Sequence, residues 1–535
     1  MTKLSGYHIM VVSKYFVGIK DFINTELVCK KLTGNMEKFH FNPIPLTVKT
    51  VGYFPNIETL YLWNKNDENF GNGFYVGINF NEDFEDDETY EDINKNRKTV
   101  LPKMFYKIVV WFNVDFGTVD KNKSRNIEFK KVTYTRNNRI KFGNDIPPMV
   151  TNISDNSYNK CSSLSSITIP SSVTSIGNKC FFGCSNLETI IIPSSVTSIG
   201  DSCFYECSSL STMTIPSSVT SIGNYCFSRC GSLRSVVIPS TLTSLGKECL
   251  FGCTSLSSVT IPSTLRLISN KCFFECGKIS SILIPSSVLS IGDDCFGGCS
   301  SLNAVVIPPN VTSIGYNCFR GCISLSSVTI PSNVSLLDYS SFFKCSNLSN
   351  VVIPSSVTSL GDSCFSECKS LSGVTIPISV SSLGNNCFGA CISLSTVIIP
   401  SSVTSIGDSC FCGCKGLKSV TIPATVTSIC HQCFRECSNL SSVTIPSSVK
   451  ALNNWCFYKC SGIKNIIIPS SVTSIGDCCF FKCSSLSNVM IPSGVTSIGD
   501  QCFYGCSKLS SLIIPSSVSS TSENCFPSNT IIYRE

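Results

Sequence analysis

The residues of this chain with the most chemistry to offer are its 35 cysteines, and their spacing is regular. Two columns recur every 23 residues, one through Cys180, Cys203 and Cys226, the other through Cys184, Cys207 and Cys230. Such an array allows disulfides, a zinc-thiolate site, or buried thiols that do no chemistry. Like cysteines on neighbouring coils would lie within bridging reach by Cα distance, yet in-register stacking keeps their Cβ vectors parallel and strains a disulfide. Zinc requires four ligands converging on one point, for which Cys180, Cys184, Cys203 and Cys207 are the available set. The breaks in the pattern favour the third reading. Ser341 stands where the first column expects Cys, and Ser157 does so near its start. Serine fills the space of a small buried thiol but ruins a metal set, and free Cys buries as a small hydrophobe. We therefore expect packing thiols ahead of metal or redox roles, with no metal and no cofactor. Cys412, Cys430 and Cys478 lie off both columns.

Other reactive patterns are sparse. The three histidines, His8, His40 and His431, sit in no recurring acid-base setting. Serine is abundant without a partnered base, and no phosphate-cradling glycine motif occurs. An enzyme is not expected. The acidic run from Glu82 to Glu88 lacks the spaced oxygen ligands and turning glycine of a hard-cation loop, so it reads as a solvated loop. Charged residues make up 14% of the chain and the net charge is +6. Without a basic stripe, nucleic acid is not an expected partner. No apolar run reaches the roughly 18 residues that span a bilayer. The opening MTKLSGYHIMVVSKYFVGIK has no small-residue cleavage site of a secretory signal. The expectation is a cytoplasmic protein in a reducing compartment.

The elements that hold these side chains follow from an Ile-Pro step that returns every 23 residues from Pro147 to Pro515. A fixed short period is the signature of a solenoid, which also lets 535 residues share one elongating core. In the coil Leu256–Cys276, Val259 and Ile261 share one strand face and Pro262 ends the strand. Leu265 and Ile268 return apolar groups to the interior. A glycine usually follows, as at Gly177, Gly200, Gly223 and Gly292, and its replacement by Asp338 or Asn453 suggests a left-handed turn position. Cys272, Phe273 and Cys276 should close the coil on a short helical turn. The phenylalanine beside the first cysteine recurs from Phe181 to Phe526, with Leu250 the exception, and should stack into a spine. The expected fold is therefore a mainly β repeat solenoid, about 17 coils of 23 residues with a parallel sheet, over residues 139–535. Its first coil is degenerate, and Asn529 to Tyr533 should add a covering strand. Residues 1–138 do not repeat and read as a small α+β region, with a helix over Asp21–Leu32 capped by Asp21 and a strand over Asn56–Leu62.

On each strand one residue points outward between two inward ones. These are Thr168, Ile191, Thr214, Val237, Thr260, Leu283, Val306, Thr329, Val352, Thr375 and Ile398, and the column runs on to Ile467, Met490 and Ile513. An exposed apolar stripe marks an interaction face, whereas strand propensity alone would also favour its β-branched members. The unit LxxVxIPxxVxxIGxxCFxxC resembles the BspA-like class of leucine-rich repeats, with Cys where that class often carries Ala before the Phe. That resemblance implies a leucine-rich-repeat array and an adhesion or matrix-binding role at the cell surface, for which a chain without a signal would need unconventional export. Residues 4–32, through Ile9, Met10, Val12, Phe16, Phe22, Leu27, Val28 and Cys29, resemble an F-box without its Leu-Pro opening. This implies an adaptor for a cullin-type ubiquitin ligase, with Phe22, Leu27, Val28 and Cys29 as docking residues. The expected function is a non-catalytic binding scaffold for a protein or glycan ligand, with the intracellular adaptor as the alternative.

Overall fold

The computed structural model describes residues 6–28, 30–77, 90–92 and 103–534. The acidic run 82–88, Cys29 and residues 4–5 lie outside the described residues. The chain forms two compact units: Met1–Cys184 with Ile190–Cys203, and Ser185–Thr189 with Phe204–Glu535.

The second unit is a parallel-strand solenoid. Ala304–Val306 pairs with Ser281–Leu283 on one side and Ser327–Thr329 on the other, and each Cα partner is 23 residues away. Within such a strand Val305 is buried and Val306 exposed, the alternation that a pleated strand imposes. Past Pro308 the chain turns, with Val311 N–H donating to the Pro308 carbonyl at 3.1 Å. It then makes a second, two-residue strand that the sequence reading did not foresee: Ser313–Ile314 pairs with Ser290–Ile291, and that in turn with Leu267–Ile268. Val311 and Ile314 face inward, so the apolar groups return to the core as expected, but in a hydrogen-bonded row.

The closing segment is not a helical turn. The residue before each column cysteine from Cys161 to Cys506 is left-handed, as at Lys271 (φ 53°) and Glu275 (φ 59°), which stops a right-handed helix from propagating. Cys276 N–H donates only three residues back, to Phe273 O at 3.1 Å. The intervening groups cross to the next coil: Phe273 N–H to Cys295 O at 2.9 Å and Glu275 N–H to Gly297 O at 2.7 Å. A helix would have consumed these donors internally and left the adjoining coil unbonded. Stacking decides the conformation.

The glycine column also differs from its sequence reading. Gly246, Gly315 and Gly384 are not left-handed; a Cβ on Gly246 would lie 2.3 Å from Gly223 O of the preceding coil. Close approach selects glycine here, and its N–H donates to the coil before, as Gly246 does to Ile222 O at 3.1 Å. In two coils a side chain at this position makes a bond to the coil before: Ser269 Oγ donates to Leu245 O at 2.6 Å and Asn453 Nδ2 to Ile429 O at 2.8 Å.

The aromatic spine forms as expected. From Phe273 to Phe526 consecutive rings stack at 5.3–5.8 Å, within 13° of parallel. The terminal strand Ile531–Arg534 pairs parallel with Ser511–Ile514.

In the first unit a parallel sheet runs in chain order through Thr59–Leu62, Lys107–Asp115, Ile127–Tyr134, Asn152–Ile153, Ser175–Ile176 and Ser198–Ile199. The first strand is shorter than its alternation suggested, because Glu58 and Thr59 N–H both turn to His40 O at 2.9 Å. Helices Phe116–Lys121 and Arg136–Phe142 follow two of these strands, capped by Asp115 and Thr135. Tyr134, Tyr158 and Phe181 stack at 6.4 and 5.1 Å. After a first helix at Gly6–Val12, the helix expected over Asp21–Leu32 is Ile19–Val28, followed by a 3-10 turn at Lys30–Leu32. Asp21 acts as a reach-back cap, its Oδ2 accepting from Val17 and Gly18 N–H at 3.0 Å.

Candidate functional site

The coil repeats three sets of side chains in space. The first is the cysteine pair. Every described cysteine is a free thiol, and the two columns are buried. The second column has a bonding role: Cys322 Sγ donates to Phe296 O at 3.1 Å, Cys345 to Phe319 O at 3.2 Å and Cys230 to Phe204 O at 3.1 Å. Each lies 26 residues beyond its acceptor, so the thiols tie one coil to the last. Burial pushes them up, Cys299 and Cys391 to about 12, which keeps them protonated donors and poor nucleophiles. Ser341 keeps its hydroxyl satisfied by Asp338 O at 2.9 Å, and Ser157 by Tyr134 O at 2.9 Å. Cys412, Cys430 and Cys478 are only half-buried. Among the described residues no three His, Cys, Asp or Glu side chains converge as metal ligands.

The second set is polar, and sequence reasoning had passed it over as composition. Ser356 Oγ donates to Val334 O, Ser379 to Val357 O and Ser402 to Val380 O, at 2.6–2.7 Å. After the glycine comes a column of Asn and Asp whose side-chain oxygen accepts the N–H one coil on. Asp362 Oδ1 takes Asn385 N–H at 2.7 Å, Asn385 Oδ1 takes Asp408 N–H at 2.8 Å, and Asp408 Oδ1 takes His431 N–H at 2.9 Å. His431 is thus a rung of this ladder, and His40 is an exposed residue 3.8 Å from Glu58. The signal was available, since these residues recur with the same period as the prolines.

The third set is the outward residue of the first strand row. Thr214, Val237, Thr260, Leu283, Val306, Thr329, Val352, Thr375 and Ile398 of the second unit are exposed, as are Thr168 and Ile191 of the first. Leu283 is 77% exposed, Ile467 82% and Met490 79%. Around them stand Ser281, Ala304, Ser327 and Asn350, small or polar, so the large apolar groups stand clear of their neighbours.

The N-terminal docking residues are not brought to one surface. Phe22 is fully buried, its ring edge-on to Phe16, Phe39 and Phe54 at 4.9–5.8 Å, and holds the unit's core together. Leu27 and Val28 are exposed at the helix end. Among the described residues no helix is long and apolar enough to cross a membrane.

Compared with known proteins, the sequence matches the family described as BspA type leucine rich repeat region (6 copies) over residues 141–251, 220–349, 337–463 and 404–533. A leucine-rich repeat protein of Bacteroides ovatus is 29% identical across 73% of this chain and 91% of its own, with a TM-score of 0.47. A leucine rich cell surface protein of Faecalibacterium prausnitzii is 29% identical across 59% of this chain and 82% of its own, with a TM-score of 0.38. A leucine-rich repeat protein of Eubacterium ventriosum is 26% identical across 53% and 82%, with a TM-score of 0.40. A comparison with curated proteins finds no match.

Proposed function

The chain belongs to the BspA-type leucine-rich repeat family, and on that premise we propose that it is a non-catalytic scaffold holding a protein ligand on the outward face of its first strand row. One observation carries this reading: between Val237 and Ile513 large apolar side chains stand in water at the same outward position of most coils, with Thr260, Thr329, Thr375, Thr421 and Thr444 at that position in the others. Association removes such area from water. Strand propensity explains Val and Ile there, but it gives no reason for Leu283 or Met490. The setting is adhesion-type binding, as the family resemblance implies. Surface labelling of intact cells with a membrane-impermeant biotin reagent tests that setting: recovery of the chain with cytosolic controls unlabelled supports it, and absence of an expressed chain overturns it. The face itself is tested with Val237→Lys, Leu283→Lys, Val306→Lys and Val352→Lys combined. Proteins cross-linked to the wild-type chain should be lost from this variant while its circular dichroism is unchanged; an unchanged cross-linking pattern would overturn the reading.

A second reading, an adaptor for a cullin-type ubiquitin ligase, draws on exposed Leu27 and Val28. It requires that Leu27→Asp with Val28→Asp abolish co-purification of a cullin-type subunit, and that such a subunit co-purify with the wild type.

A further inference from the structure

The outward side of the second strand row is polar by design of its repeat: Thr or Ser, then Ser, then Asn or Asp beyond the glycine. Its large apolar residues all fall within four successive coils. Leu267, Leu289, Tyr316, Leu336 and Tyr339 are there, each 41–52% exposed. The tyrosines interrupt the polar ladder. Tyr316 occupies an Asx rung and offers no side-chain acceptor to the next coil, so Tyr339 N–H turns to Asp338 Oδ1 at 2.7 Å instead.

Among these residues lies a hollow of about 330 Å³, lined by Leu267, Tyr316, Asp293, Asp338, Ser290 and Ser313. Its polar groups are held in place before any ligand arrives. Asp293 Oδ1 accepts Tyr316 N–H at 3.0 Å and its Oδ2 accepts Asn270 Nδ2 at 3.0 Å. Each of these oxygens retains a second lone pair. Asp338 Oδ1 is engaged by Tyr339, and among the described residues nothing donates to its Oδ2.

We propose that this hollow binds a neutral saccharide unit, with Tyr316 as the stacking surface and Asp293 and Asp338 as acceptors for sugar hydroxyls. A sugar ring has an apolar C–H face and an equatorial rim of O–H donors, and this lining answers both. An aromatic ring and an aliphatic side chain supply contact area, while fixed carboxylates and serine hydroxyls orient the ring. An organic cation is the other ligand that tyrosine and carboxylate groups attract. It fits less well, because it offers no rim of hydroxyls to the Ser290 and Ser313 side chains that complete the lining. The site lies on the second strand row, so it goes beyond the protein-binding face proposed above.

The test is saturation-transfer NMR of the full chain with the methyl glycosides of glucose, galactose, mannose and N-acetylglucosamine, and with choline as the cation probe. At least one glycoside should receive magnetisation through its ring protons, with a Kd of about 1 mM. Tyr316→Asn should weaken that binding about tenfold or more while restoring a ladder residue, so the fold is not at risk. Tyr316→Trp should retain it, Asp338→Asn should weaken it, and the four-lysine variant of the first row should leave it unchanged. Absence of transfer to every glycoside would overturn the proposal. So would binding that Tyr316→Asn leaves intact, or choline binding in place of the glycosides.

Discussion

Cys322 illustrates why a cysteine, rather than another small apolar residue, recurs in the second column. Its methylene packs and its S–H answers the Phe296 carbonyl. Cys322→Ala should lose that bond and leave a small void, lowering stability by about 1–2 kcal/mol, read as a shifted denaturant midpoint. The same burial makes a pH prediction. Cys299 and Cys391 are pushed up to about 12 in the folded chain, whereas an unfolded thiol ionises near 8.5. A raised folded pKa means that the stabilisation is fully present below the unfolded value and is lost as pH rises toward the folded one. Stability should be flat from about pH 7 to 8, then fall by up to about 1.4 kcal/mol per pH unit for each such thiol. A melting temperature that held constant to pH 11 would contradict this. At pH 8, iodoacetamide should modify half-buried Cys412, Cys430 and Cys478 before any described column thiol, as peptide mass mapping would show.

At the scale of the element, the turn after the second strand is where coil meets coil most closely. Gly246→Ala places a Cβ against backbone and should cost about 2 kcal/mol or more. Gly246→Ser should cost less, since Ser269 shows that a hydroxyl at this position can bond the preceding carbonyl. Gly231→Ala is the control: its Cβ would meet only Thr254 Oγ1 at 3.7 Å, and its stability should stay within about 0.5 kcal/mol of wild type. Equal losses at Gly246 and Gly231 would remove close approach as the reason for the column. The left-handed residues before the column cysteines obey the same logic. Each sits in a conformation costly for an L-residue, and the inter-coil bonds of its neighbours offset that cost.

At the scale of the whole molecule, stability is a sum of coil and coil-to-coil terms, so the exposed end of the array matters more than any one interior rung. Ile531–Arg534 covers Ser511–Ile514, which otherwise offers a free edge. Ending the chain at residue 528 should promote self-association, visible as a concentration-dependent rise in light scattering. A truncated chain that stayed monodisperse would show that the edge is protected by other means. Exposure at this scale follows from repetition too: a single exposed Leu283 is ordinary, whereas the same outward position recurs in each coil of the array.

Much of this was legible one residue type at a time. The 23-residue period, the proline that ends the strand, the inward Val and Ile, the Phe spine and the outward stripe all followed from the sequence, because each depends only on side-chain alternation and a repeated neighbour. Phe22 was read as a docking residue because its segment resembles a known motif, and the structure instead buries it among Phe16, Phe39 and Phe54. The second strand row, the non-helical closing turn and the true reason for the glycine column were not legible. Each is decided by hydrogen bonds and clearances between residues 22 to 26 positions apart, where local propensity has no voice. The hollow at Tyr316 belongs to the same class. Its residues stand in the sequence as scattered departures from a consensus, and only stacking in register brings Leu267, Asp293, Tyr316 and Asp338 to one place.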